Sequence, residues 1–163
     1  MSDAFTDDLI ALLPNLRRFA MSLCRQADVA DDLVQITVER ALNARDKHDP
    51  ATRLDAWLFR ILRNAFIDMT RRTRTRGVTV DIHDTPEAIT VDGEKHTETV
   101  LMLASAEAAI DALPEDQRAV MVLICMEEMS YAEAAEVLGV PTGTVMSRLS
   151  RARLAVARSL GIK

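Results

Sequence analysis

Apolar residues recur every three or four positions along most of this chain, the spacing that lays one apolar stripe along an α-helix. Leu9, Leu12, Leu13, Leu16, Phe19, Ala20 and Leu23 predict a first helix over residues 7–24, which Pro14 kinks or restarts. A second helix is predicted over 27–45, with Asp28 as its cap and Asp31 in its first turn, where a carboxylate suits the helix dipole. "KHDPAT" reads as a loop. A third helix covers 53–76, broken near its start, with Leu54, Trp57, Leu58, Ile61, Leu62, Ala65 and Ile67 on its apolar side.

The periodicity stops at Gly77 and returns after Thr99. "VTVDI" within this stretch alternates like a strand but has no partner strand, so the stretch reads as a flexible linker. Beyond it, "VLMLASAEAAIDAL" is helical, and Pro114 begins another helix with Glu115 and Asp116 in the first turn. Ser130 and Glu133 have capping-box spacing ahead of "YAEAAEVL", and Gly139 fits the position just past a helix end. Pro141 or Thr142 opens the final helix. A short helix, a turn with glycine and a second helix make a helix-turn-helix. The expected fold is all-α. Two small helical domains, 1–76 and 100–163, flank a flexible acidic linker, 77–99, and the second contains the helix-turn-helix.

Charge sharpens this division. The chain has 163 residues and a net charge of -5, but the charge is unevenly placed. Residues 53–76 hold seven arginines against two acids, and residues 77–116 hold ten acids against Lys95. Residues 141–163 carry no acid. A polyanion can touch the two basic blocks while the acidic stretch stays away from it.

The final helix offers the chemistry for such contact. Thr142, Thr144 and Ser147 place hydroxyls near its N-terminus, where free N–H groups attract phosphate. Arg148 and Arg151, three apart, share a face and can reach guanine or the backbone. Val145, Leu149 and Leu154 are expected to point inward. The alternative is an amphipathic helix with a solvated arginine face. In the 53–76 block, Trp57 and Phe59 precede Arg60, Arg63, Asn64, Asp68, Arg71 and Arg72. Aromatics stack on unpaired bases, arginines hold phosphates and asparagine reads a base edge. Taken alone, Trp57 reads more readily as a core residue.

Other chemistry is poorly supported. No nucleophile–base pairing, glycine-rich phosphate loop or metal cluster stands out, and His48, His83 and His96 lack ligand spacing. No cofactor is implied. Cys24 and Cys125 read as two buried free thiols. No apolar run approaches the roughly 18 residues of a membrane span. The acidic "MSDAFTDDLI" is unlike a signal peptide, so a cytoplasmic protein without membrane insertion is expected.

Three stretches together resemble the extracytoplasmic-function sigma factors, the compact group of sigma-70-type bacterial initiation factors. "ADDLVQITVERAL" (30–42) looks like the helix that grips the RNA polymerase clamp, and "LDAWLFRILRNAFIDMTRR" (54–72) like the segment that melts and reads the -10 element. Residues 113–156 look like the domain that reads the -35 element. The resemblance implies core RNA polymerase and promoter DNA as partners, with an anti-sigma factor holding the protein silent.

By motif position it implies clamp contacts at Asp31, Asp32, Leu33, Gln35 and Glu39, residues that alone read equally as a solvated face. It implies -10 contacts along the third helix, a flipped base held by the loop from His48 to Leu54, and -35 contacts at Thr142, Thr144, Ser147, Arg148 and Arg151. Ile36 departs from the acid usual after the DLVQ run, Met146 from a basic residue and Ser150 from a larger one. A stand-alone helix-turn-helix regulator and a sigma-like mimic that sequesters an anti-sigma factor are the competing readings. The first leaves the DDLVQ helix unexplained, and the second predicts degraded basic faces.

Overall fold

The computed structural model describes residues 3–75 and 98–162, without the side chains of 98–100. Helix α1 (Ala4–Ala11) is capped by Asp3, whose carboxylate accepts from the Thr6 N–H. Helix α2 (Leu13–Cys24) restarts at once with Pro14 in its first turn, where the missing N–H costs no helical bond. Helix α3 (Ala27–Asn43) starts after Gln26, so Asp28 lies in its first turn and is not its cap. A 3-10 turn (Arg45–Lys47) leads to a loop and to α4 (Leu54–Thr75), which is continuous. The second half comprises α5 (Glu98–Asp111), α6 (Glu115–Met121), α7 (Tyr131–Leu138) and α8 (Thr142–Ser159). Residues 76–97 and the strand-like "VTVDI" lie outside the described residues.

Helices α2, α3 and α4 pack around Leu16, Phe19, Leu33, Leu58, Phe59 and Leu62, all fully buried. Phe19 and Phe59 meet edge to face at 5.1 Å. Phe59 therefore faces the core and is not free to stack on a base. Leu33 is likewise a core residue, so it can position neighbouring clamp contacts but presents no surface of its own.

In the second half α6, α7 and α8 surround Val120, Leu123, Val137, Val145 and Leu149. After α6 the chain widens into an i→i+5 turn over Val122–Met126, closed by the Glu127 N–H donating to the Val122 carbonyl. The Ser130–Glu133 capping box is complete, and Gly139 closes α7 at φ 64°, a left-handed geometry that favours glycine. Leu154 is 52% exposed, not inward, and Cys125 is exposed, whereas Cys24 is buried.

The two halves meet, α2 on α6 and α4 on α7. Buried polar groups fasten the seam. Arg118 donates to the Ser22 carbonyl at 2.6 Å and, within its own half, to the Leu113 carbonyl at 2.7 Å. Burial pushes its guanidinium below the ordinary value. Glu127, also buried, accepts from Asn15 at 2.7 Å and pairs with Arg18 at 2.8 Å. Arg53 pairs with Asp55, donates to the carbonyls of Glu127 and Glu128, and reaches Glu133 at 3.5 Å.

Candidate polymerase and nucleic-acid interfaces

Helix α3 carries the first candidate surface. Asp32, Gln35 and Glu39 follow at three- and four-residue spacing, so they share one face, and all three are exposed. Asp31 is exposed as well and pairs with Arg17 of α2 at 3.0 Å. Leu33 turns into the core behind this face. Ile36 is half-buried there.

Helix α4 carries the second. Arg60, Asn64, Arg71 and Arg72 are exposed, and Asp68 is held by Arg40 at 3.3 Å. Arg60, Asn64 and Arg71 recur at near-helical spacing, which makes a basic stripe with one amide in it. Arg63 departs from the stripe. It is half-buried, with its Nη1 3.5 Å from where a Cβ on Gly139 would stand. Burial and then the like charge of Arg148 push its guanidinium below the ordinary pKa. Trp57 is half-buried and meets the rings of Phe5 and His48 at 6.3 and 5.0 Å. Its aromatic area is thus largely committed within the fold.

Helix α8 carries the third. Pro141 precedes it and supplies no side-chain cap, which leaves its N-terminus open to an anion. Thr142 and Ser147 are exposed, Thr144 is half-buried, and the Ser147 hydroxyl donates to the Thr144 carbonyl at 3.1 Å. Arg151 is exposed, while Arg148 is half-buried and tied to Asp116 at 3.5 Å. Met146, exposed, and Ser150 lie on the same outer side. Val145 and Leu149 anchor the helix from beneath with at most 1% exposure.

Two features had no sequence expectation. One is the ring of seam residues, Asn15, Arg18, Arg53, Arg118 and Glu127, whose partners lie across the molecule. The other is a groove of about 550 Å³ between α2, α5 and α6, lined by Met21, Ile110, Val122 and Met126 together with the charged Arg17, Arg25, Glu107 and Asp111. Near it α5 exposes Leu101, Met102 and Leu103. Among the described residues no group of three or more candidate ligands could hold a metal, and no helix is long and apolar enough to cross a membrane.

Comparisons with known proteins agree with the two halves. A model of sigma-70 region 2 matches residues 9–76, and one of sigma-70 region 4 matches residues 103–156. The chain is 41% identical over 153 residues to the ECF RNA polymerase sigma factor EcfG of Rhodopseudomonas palustris (strain TIE-1), covering 94% of this chain and 83% of that one. It is 28% identical over 172 residues to the ECF sigma factor SigW of Bacillus subtilis (strain 168), covering 97% and 89%. Among solved structures, the sigma factor RpoE bound to the anti-sigma factor NepR from Bartonella quintana matches with a TM-score of 0.78 and 36% identity, covering 98% of each chain. CnrH, solved with the cytosolic domain of CnrY, matches with a TM-score of 0.65 and 29% identity, covering 97% of this chain and 88% of that one.

Proposed function

Because this chain belongs to the extracytoplasmic-function sigma factors of the sigma-70 family, we propose that it binds core RNA polymerase and brings it to two-part promoters in the cytoplasm. It carries out no covalent chemistry itself. Residues 1–76 form the unit that grips polymerase and opens the -10 element. Residues 100–163 form the unit that reads the -35 element, and 77–99 connect them.

The observation that carries this reading is the order of three exposed surfaces on one helical chain: an acidic-amide face on α3, a basic stripe on α4 and an open helix N-terminus with arginines on α8. Asp31, Asp32, Gln35 and Glu39 contact the polymerase clamp. Arg60, Arg71 and Arg72 hold the backbone of the separated strand, and Asn64 reads a base edge. The loop from His48 to Leu54 holds a flipped base, and its contacts offset the few kcal/mol lost on unstacking. Trp57 supports that loop from behind. On α8, Thr142, Thr144 and Ser147 hold phosphate, and Arg148 and Arg151 reach the duplex. Arg63, Asp68 and Arg148 become available only after their present partners release them.

An anti-sigma factor is the second partner. The groove between α2, α5 and α6, with arginines on its α2 side and Glu107 and Asp111 on its α5 side, suits an amphipathic helix that carries both charges. Its neighbour, the exposed Leu101–Leu103 run, extends the apolar surface.

Transcription with purified core polymerase tests the site assignments. Asn64→Ala should lower initiation on promoters with an intact -10 element and leave duplex -35 binding unchanged. Arg151→Ala should do the reverse. Equal loss at both elements from either substitution contradicts the division of labour.

A further inference from the structure

Asp3 and Phe5, at the start of α1, make three side-chain contacts with residues 45–57. Asp3 pairs with Arg45 at 2.7 Å. The Arg45 guanidinium also lies over the Phe5 ring, 5.0 Å from its centroid. Phe5 in turn meets Trp57 edge-on, with an interplanar angle of 68°, and the His48 ring also lies against Trp57, 5.0 Å from its centroid. Residues 45–57 are therefore gripped at both ends, Arg45 at one and Trp57 at the other, by residues of a single helical turn.

Three further observations separate this grip from ordinary packing. Leu9 is the one fully buried residue of α1, Phe5 packs half-buried against the core, and Ile10 is 57% exposed, so the helix adds few side chains to the core. The buried Nε2 of His48 makes no hydrogen bond among the described residues, so beyond its backbone N–H to the Arg45 carbonyl, His48 is placed by ring contact with Trp57. Asp3 is both the cap of α1 and the partner of Arg45, which couples formation of the first turn to placement of the loop. An acid at this end is repelled by phosphate, so Asp3 has no favourable contact of its own with DNA.

We propose that α1 is a brace for the loop between α3 and α4, and that Asp3 and Phe5 set the promoter-opening geometry of that loop as positioning residues. The proposal rests on the assignment of the loop to a flipped base. Along α3, at 1.5 Å per residue, Asp31 and Asp32 sit about 18 Å from Asn43 and Glu39 about 6 Å, so of the proposed clamp contacts only Glu39 lies near the brace.

The full-length protein with core polymerase provides the test, on a promoter that the wild-type protein opens. Strand separation is followed by permanganate reactivity, core affinity by competition and loop placement by the emission of Trp57, the one tryptophan of the chain. Phe5→Ala should slow opening about tenfold, the scale of one aromatic pair and one cation–π contact. It should shift Trp57 emission and leave core affinity within about twofold, since all the clamp contacts but Glu39 lie two turns or more away along α3. Phe5→Tyr should restore opening, and a template with a preformed bubble should abolish the defect.

Asp3→Asn keeps a capping side chain but loses the charge, so it should show a smaller defect than Asp3→Ala. Opening by Phe5→Ala at the wild-type rate overturns the brace, as does an equal loss of core affinity, which marks a merely structural role. A wild-type protein that binds no core and opens no promoter contradicts the sigma-factor reading instead, and with it the function given to the loop.

Discussion

The guanidinium of Arg63 on α4 rests against Gly139 in the turn between α7 and α8, 3.5 Å from the place of a Cβ there. The surfaces proposed to read the two promoter elements are thus neighbours in this packed form. On a promoter the elements lie some 25 base pairs apart, which at 3.4 Å per pair is about 85 Å. One packed molecule cannot serve both elements at once.

The halves should therefore separate on the promoter. Dyes on exposed positions of α4 and α8 should show efficient energy transfer in the free protein and very little in the complex with core polymerase and promoter. Unchanged transfer in an active complex would contradict the assignment of one of the two surfaces.

Glu127 should govern how readily they separate. Its carboxylate is buried and holds Arg18 and Asn15, so Glu127→Ala strands two polar partners at the seam. Arg18 is half exposed and regains water, which limits the cost to about 1–2 kcal/mol. Denaturant unfolding should register that loss, and small-angle scattering should show a larger free protein. A wild-type radius would mean that the apolar contacts of α4 with α7 hold the seam without it.

Asp116 restrains the duplex-reading helix through Arg148. Asp116→Asn should strengthen binding to a -35 duplex by up to about fivefold, the range of one partly exposed ion pair. Arg151→Ala should weaken it and lower the salt slope by about 1. Fluorescence anisotropy across a salt series measures both.

Acid should reach the helix caps late, after the ordinary carboxylates have titrated. The Thr6 N–H and Arg45 pull the Asp3 carboxyl down from 3.8 to about 2, and the Ser130 N–H pulls Glu133 below its ordinary value. A depressed carboxylate stabilises the fold above its unfolded pKa, and that contribution is lost as pH falls through the folded one. For Asp3 the window runs from 3.8 down to about 2. Carbon NMR of the Asp3 carboxyl should give a midpoint near 2, whereas a midpoint near 4 would dissolve the cap and the ion pair together.

The elements were legible because their signals are local. Pro14, the Ser130–Glu133 box, Gly139 and the apolar stripes each act within a turn or two, and each does so in the structure. Faces were harder. Trp57 and Phe59 are two apart and so point to nearly opposite sides of α4, but both are aromatic and composition does not say which turns inward. Phe59 took the core and Trp57 the edge. Leu33 lies among exposed clamp candidates while its own side chain packs inward, and Leu154 fits the apolar period of α8 but has nothing above it to pack on. The seam was invisible. Asn15, Arg18, Arg53 and Arg118 are ordinary polar residues until the fold brings groups 74 to 112 positions away against them.

Initiation by purified core polymerase on a randomised promoter library, with the transcripts sequenced, tests the central claim most directly. The account predicts starts that require this protein and share one two-part motif. Its upstream half should respond to Arg151→Ala and its downstream half to Asn64→Ala. No initiation, together with no binding to core polymerase, would contradict it.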